Sequence, residues 1–375
     1  MINRRRLLNL TRELIAIDSQ NPPGNEAAVA RFVGARLRAM GHTPEFIAYG
    51  KNRTNVLCRV KGTGAKSLLI TPHLDTVPAG KGWKHDPFSA TLVKGRLYGL
   101  GATDCKGNLA CCLEAMNSLA EERVKLGYTL VFAATADEES GSRLGLEPLL
   151  AKGALRADAA IVLDCEDFEI IAAQKGLLHV TLKVRGKRAH GAYPWLGVNA
   201  IDAAARIVCA LKERKLSGPR NRYLHPATVN IGVIRGGDKV NVVADWCEVE
   251  LDFRFLPGMR AGALVRMLKT TARRFAKDFE IVVDGVQQPY VISDTHRLVV
   301  SLKKSMEARG LRPVISGSEG ATVISFFQRL GIPSVATGFG TTGCCHIADE
   351  YVAADNLWKG AGALEEFLKT FSFGS

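Results

Sequence analysis

The sequence predicts an α/β protein: a discontinuous catalytic domain, a mixed sheet flanked by helices, interrupted by an inserted α+β domain of ferredoxin-like order. Three observations predict it. Short apolar runs bounded by Gly and Pro alternate with helical periodicity through the first half, as buried strands of an α/β sandwich do. From residue 176 the rhythm changes to period-two strands in a β-α-β-β-α-β order that has its own core. From residue 290 the pattern returns to helix, loop and buried strand. The expected division is 1–175 with 290–375 for the larger domain and 176–289 for the insert; 375 residues exceed what one core usually serves.

The elements follow in order. Leu7, Leu10, Leu14 and Ile17 recur at helical spacing, and Thr11, Arg12 and Glu13 interrupt any signal-peptide core, so the chain opens on an amphipathic helix. Helices are expected over 25–40 and 106–122, and strands over 54–60, 67–71, 128–134 and 159–163. In the insert, 177–184, 228–234, 247–255 and 280–283 read as extended, with helices over 199–211 and 262–275. A buried strand over 332–336 and a helix over 354–368 close the chain.

Composition narrows the function classes. A 47% hydrophobic, 23% charged chain builds a core rather than a disordered coil. The net charge of +13 invites a nucleic-acid partner, but the basic residues are scattered in groups such as Arg4-Arg5-Arg6 and Arg273-Arg274. They carry no interleaved aromatics and no nucleic-acid-binding pattern. We expect no nucleic acid, and no membrane, since no run nears the roughly 18 apolar residues of a span. Nine cysteines without a CxxC pair suit a reducing cytosol better than a disulfide framework, so a cytoplasmic location is expected.

Five short segments carry chemistry. In TPHLDTVP a strand ends on His73 and Asp75, placed on one face by the period of two. GRLYGLGATDCKG delivers Asp104 to the mouth of a helix, and ATADEESGS runs from a strand into Asp137, Glu138 and Glu139. Asp164 closes the run over 159–163, and His346 follows a Gly-rich loop in GCCHIADEYV. Singly, each has a plainer role: a surface histidine, a helix cap at Asp104, a solvated acidic loop. Together, two histidines and three carboxylates at strand ends form a binuclear nitrogen/oxygen site.

With GKRAHGAYPWLGVNAI added, this ordered set of motifs resembles the M20 metallopeptidases, from residue 19 to the last helix. The resemblance implies two zinc ions, with cobalt or manganese as alternatives. His73 and Asp164 would hold one, Glu139 and His346 the other, and Asp104 would bridge them. Asp75 would orient His73, and Glu138 would be the general base for water attacking an amide carbonyl. It also implies an inserted lid domain that makes a homodimer, in which His190 polarises the carbonyl and Asn241 and Arg254 bind the substrate carboxylate. With the full ligand set and the base present, the resemblance speaks for an enzyme rather than a non-catalytic relative. Cys105, Cys165, Cys344 and Cys345 abut proposed ligands; small buried neighbours are the expectation, and their position makes thiol oxidation a route to inactivation.

Within the family, Asp164 where desuccinylases carry Glu, Glu319 in SGSEGATVISFF and the His-x-x-Asp-Glu-Tyr ending resemble the acetylornithine deacetylase branch of amino-acid biosynthesis. Glu319 would meet a cationic substrate side chain, or else cap a helix. The expected substrate is an N-acyl amino acid, with desuccinylase, dipeptidase and carboxypeptidase activities, the last two on short peptides, as alternatives.

Overall fold

Four apolar runs lie side by side and parallel: Thr129–Ala134, Ser67–Thr71, Ala159–Leu163 and Ser334–Phe339. The structure, a computed structural model, describes residues 1–164, 167–320 and 322–374. Every residue of Ala159–Leu163 and Ser334–Phe339 is buried, the pattern of strands covered on both faces. Antiparallel strands flank this block: Arg53–Val60 beside Thr129–Ala134 with Glu45–Gly50 outside it, and Asp167–Gln174 beside Ser334–Phe339. The helix Lys106–Glu121 is buried along most of its length and packs against Arg4–Ile15 and Ala354–Thr370.

The predicted helices and strands appear with ends moved by a few residues, and the differences have physical reasons. Ile17 falls beyond the first helix, which ends at Ile15; Ile15 is buried in its place. Glu45–Gly50 is an exposed edge strand without apolar alternation, and Asp167–Gln174 opens on acids, so neither shows in the pattern.

Contacts divide the chain into two compact units. The first is Met1–Ala172, Ile292–Ser316 and Phe326–Ser375; the second is Ala173–Val291 with Gly317–Ser325. The last segment, expected in the larger domain, clusters with the second unit because the Lys175 N–H donates to the Ser318 carbonyl (3.1 Å) and Thr322 Oγ1 to Gln174 Oε1 (2.8 Å).

The second unit is a four-stranded antiparallel sheet in the order Thr228–Gly236, Trp246–Phe255, Gly176–Arg185, Asp278–Gln287. Leu178, Val180, Leu182 and Val184 alternate inward against Ala204 and Ile207 of the helix Ala200–Glu213 and Leu268 of Ala261–Ala272. Both helices therefore cover one face, the ferredoxin-like arrangement. Among the described residues no helix is long and apolar enough to cross a membrane.

Candidate metal centre

The parallel block determines where the chemistry gathers. Each strand delivers its next residues to the same edge: Ser67–Thr71 leads to His73, Thr129–Ala134 to Glu138 and Glu139, and Ala159–Leu163 to Asp164. Open α/β sheets bind ligands at this carboxyl edge. His73 is held level with Thr135 by a parallel bridge.

Asp104 lies at the centre. Its Oδ1 is 2.9 Å from His73 Nε2, and its Oδ2 is 3.2 Å from His346 Nε2. The same His346 nitrogen lies 3.4 Å from Glu139 Oε2. Two groups of possible ligands result, His73–Asp104–Asp164 and Asp104–Glu139–His346, with ligand atoms within 4.8 Å of one another in each. Asp104 belongs to both. Every donor is an imidazole nitrogen or a carboxylate oxygen, the set that suits borderline divalent ions. Among the described residues Glu139 Oε1 is buried without a hydrogen-bond partner, an acceptor position that a cation would fill. The residues present thus fit a pair of divalent cations.

The electrostatics agree with this. Hydrogen bonds to Asp104 and Glu139 push His346 up to about 11. Burial, then the charge of Asp164, push the Glu138 carboxyl well above the usual range. Burial opposes charge on Asp104, yet His346 and His73 outweigh it and hold the carboxyl far below its ordinary value. These acids concentrate positive charge, and a dication competes for the same places as the protons.

The sequence model of "Peptidase family M20/M25/M40" matches residues 69–370. The chain belongs to this family. It is 30% identical over 361 residues to acetylornithine deacetylase of Proteus mirabilis (strain HI4320), covering 92% of this chain and 90% of that one. Aminopeptidase PepT of Bacillus cereus ATCC 10987 superposes with a TM-score of 0.80 at 26% identity over 98% of both chains. A dinuclear metal binding peptidase of the M20 family from Bacillus subtilis shares the fold, with a TM-score of 0.73 at 18% identity over 98% of this chain and 99% of that one.

In this M20 chain Asp75 serves the turn that follows the neighbouring strand. His73 Nδ1 lies 2.9 Å from the Asp75 carbonyl oxygen, a bond that leaves Nε2 free to face Asp104, whereas the Asp75 carboxylate is 3.7 Å away. That carboxylate accepts the backbone N–H groups of Glu138 and Glu139, each at 3.1 Å, and Asn21 Nδ2 at 2.9 Å.

Asp104 does not cap the helix that follows; Cys105 stands at that position, without a side-chain cap. The loop is instead pinned by Glu350, which stands in the His-x-x-Asp-Glu-Tyr ending but for which the sequence suggests no role of its own. Its buried carboxylate accepts the N–H groups of Gly101 (2.8 Å), Thr103 (2.8 Å) and Asp104 (3.0 Å). Gly101 sits at φ +81° with Thr76 so close that a Cβ would meet its Cγ2 at 2.8 Å. Glu350→Ala is expected to lower stability by about 3 kcal/mol or more, since three buried donors lose their acceptor. It is also expected to weaken metal binding; a thermal melt together with a zinc titration checks both, and unchanged zinc affinity would disconnect the loop from the site.

His190, Asn241, Arg254 and Glu319 lie in the second unit. His190 and Asn241 are neighbours: His190 pairs with Val242, and the Gly191 N–H donates to the Asn241 carbonyl at 2.8 Å. Both side chains are exposed. Arg254 forms a fork on Asp252, Nε to Oδ1 at 2.9 Å and Nη2 to Oδ2 at 3.1 Å. Glu319 is engaged by buried Lys175 at 2.5 Å and by the His225 N–H at 2.9 Å, so a substrate cation would have to displace Lys175.

Among the described residues no cysteine takes a place in either ligand group. The Cys105 thiol donates to the Leu163 carbonyl at 3.1 Å, and burial pushes it up to about 11. Burial also raises the Cys344 thiol, while Cys345 is half-buried. Cys165 lies outside the described residues.

Proposed function

We propose that this chain hydrolyses the amide bond of an N-acyl amino acid, in the manner of an acetylornithine deacetylase. The supporting observation is the sharing of Asp104 between two ligand groups, with the Glu138 carboxyl close enough to Asp164 for their charges to interact. Zinc is the proposed metal, with cobalt or manganese as alternatives. His73 and Asp164 would hold one ion, Glu139 and His346 the other, and Asp104 would serve both. Such ions, when bound, lower the pKa of water and polarise an amide carbonyl.

Glu138 accepts the proton of the attacking water and returns it to the leaving amine. Its backbone, tied to Asp75, keeps the carboxyl aimed while the proton moves. Arg254 offers a planar fork that matches a substrate carboxylate, with Asn241 beside that carboxylate and His190 donating to the carbonyl oxygen. Glu319 is assigned to a cationic substrate side chain, in exchange for Lys175. A homodimer through the second unit, a cytoplasmic location and the absence of a nucleic-acid partner complete the reading.

The 30% identity to a deacetylase favours this branch, while the 26% identity to PepT favours a second reading, cleavage of short peptides. Steady-state rates on N-acetylornithine, N-succinyl-diaminopimelate and a set of di- and tripeptides decide between them. N-Acetylornithine is expected to have the highest kcat/KM. Turnover of peptides alone would replace the deacylase reading with the peptidase one.

A further inference from the structure

Behind the turn that carries Glu138 and Glu139, within the first unit, lies a buried charge network that the proposed chemistry does not use. Arg53, at the start of Arg53–Val60, is 8% exposed. Its Nη2 lies 2.6 Å from Asp137 Oδ1 and 2.9 Å from Glu26 Oε1, and its Nη1 donates to Asn21 Oδ1 at 3.4 Å. Asn21 in turn donates through Nδ2 to Asp75 Oδ2 (2.9 Å) and Asp137 Oδ1 (3.3 Å). Glu26 Oε1 accepts the Asp137 N–H at 3.2 Å, and Asp137 Oδ2 accepts the Leu144 N–H at 2.9 Å.

Asp137 adopts φ +65°, a left-handed conformation that is uncommon for a non-glycine residue and is held here by the contacts of its side chain. That residue immediately precedes the short 3₁₀ turn Glu138–Ser140, whose first two N–H groups rest on Asp75. The two carboxylates that shape the turn, Asp75 and Asp137, are joined by Asn21, and Arg53 binds both Asn21 and Asp137. Gly24 presses on the guanidinium so closely that a Cβ there would lie 2.6 Å from Nε, which leaves the group little room to reorient. A planar fork reaches Asp137, Glu26 and Asn21 at once, as an ammonium point charge would not.

We propose that Arg53 is a positioning residue: it holds Asp137 in its left-handed conformation and thereby aims Glu138 as base and Glu139 as metal ligand. This rests on the roles given to those two residues above. Interactions around a metal ligand of this kind are worth about 10–100-fold in affinity or activity.

The test uses the full chain as Arg53→Lys and Arg53→Ala, with cobalt binding followed by visible absorption and N-acetylornithine kinetics alongside. Arg53→Lys is expected to fold, to bind one of its two cobalt ions about 10–100-fold more weakly, and to lose kcat by a similar factor with KM within about twofold. Free guanidinium is expected to restore part of the Arg53→Ala loss, and urea is not. If Arg53→Ala does not fold, Arg53→Lys decides alone through its cobalt titration. Two undiminished cobalt affinities in a folded Arg53→Lys would overturn the proposal, and so would a loss that guanidinium and urea repair equally. A wild-type chain that fails to take up two cobalt ions would overturn the metal-site reading instead, before the variants are compared.

Discussion

Glu138→Ala is expected to lower kcat by about 10²–10⁴-fold while the chain still binds two metal ions, the range that a positioned general base supplies. The separation of the two effects follows from the geometry. Glu138 is in neither ligand group, whereas its neighbour Glu139 is in one. The bonds that hold the turn are made by backbone N–H groups to Asp75, so removing the Glu138 side chain leaves both in place. Elemental analysis after dialysis, paired with kcat, is the measurement. A variant with more than about a tenth of wild-type kcat would exclude Glu138 as the base, given the range above. Metal loss with the activity loss would make it a ligand.

Three of the five proposed ligand positions are legible because each follows an apolar run that reads as a buried strand. A chain that leaves such a strand on His73, Glu139 or Asp164 places imidazole or carboxylate where water is scarce, and that asks for a counter-charge. The insert is legible for a similar reason: alternation over Leu178, Val180, Leu182 and Val184 fixes which face meets its helices.

Glu350 and Arg53 are not legible in this way. The three N–H groups that Glu350 accepts lie 246 to 249 residues upstream, and a bond between a side chain and remote backbone leaves no periodic trace. Arg53 and Glu26 are single charges in polar surroundings, which read as surface; only their mutual pairing with Asp137 allows them to be buried. Asp75 is an intermediate case. The His-x-Asp spacing finds the residue, but not that its carboxylate serves the turn after the next strand while its carbonyl serves His73. In each case the missing information is a tertiary contact made by one polar group, which hydrophobic patterning cannot encode.

The largest effect is expected at Asp104. Asp104→Ala should leave neither ion bound and lower kcat by more than the ~10⁴-fold upper range for loss of the base alone. Among the described residues the two groups meet only through this side chain: without it His73 and Asp164 remain on one side, Glu139 and His346 on the other, and neither pair is a full set. The loop itself should persist, because the Asp104 N–H is held by Glu350 and not by the side chain that is lost. The melting temperature of the metal-free variant therefore tests whether the loss is local. His346→Ala is the matching control, since His346 belongs to one group only and is half exposed; it should cost one ion, not two. If Asp104→Ala and His346→Ala both retain one ion, Asp104 belongs to a single metal and the shared-carboxylate geometry does not describe the loaded site. If both ions persist in Asp104→Ala, the five donors are not the ligands at all, because among the described residues no other carboxylate joins the two groups.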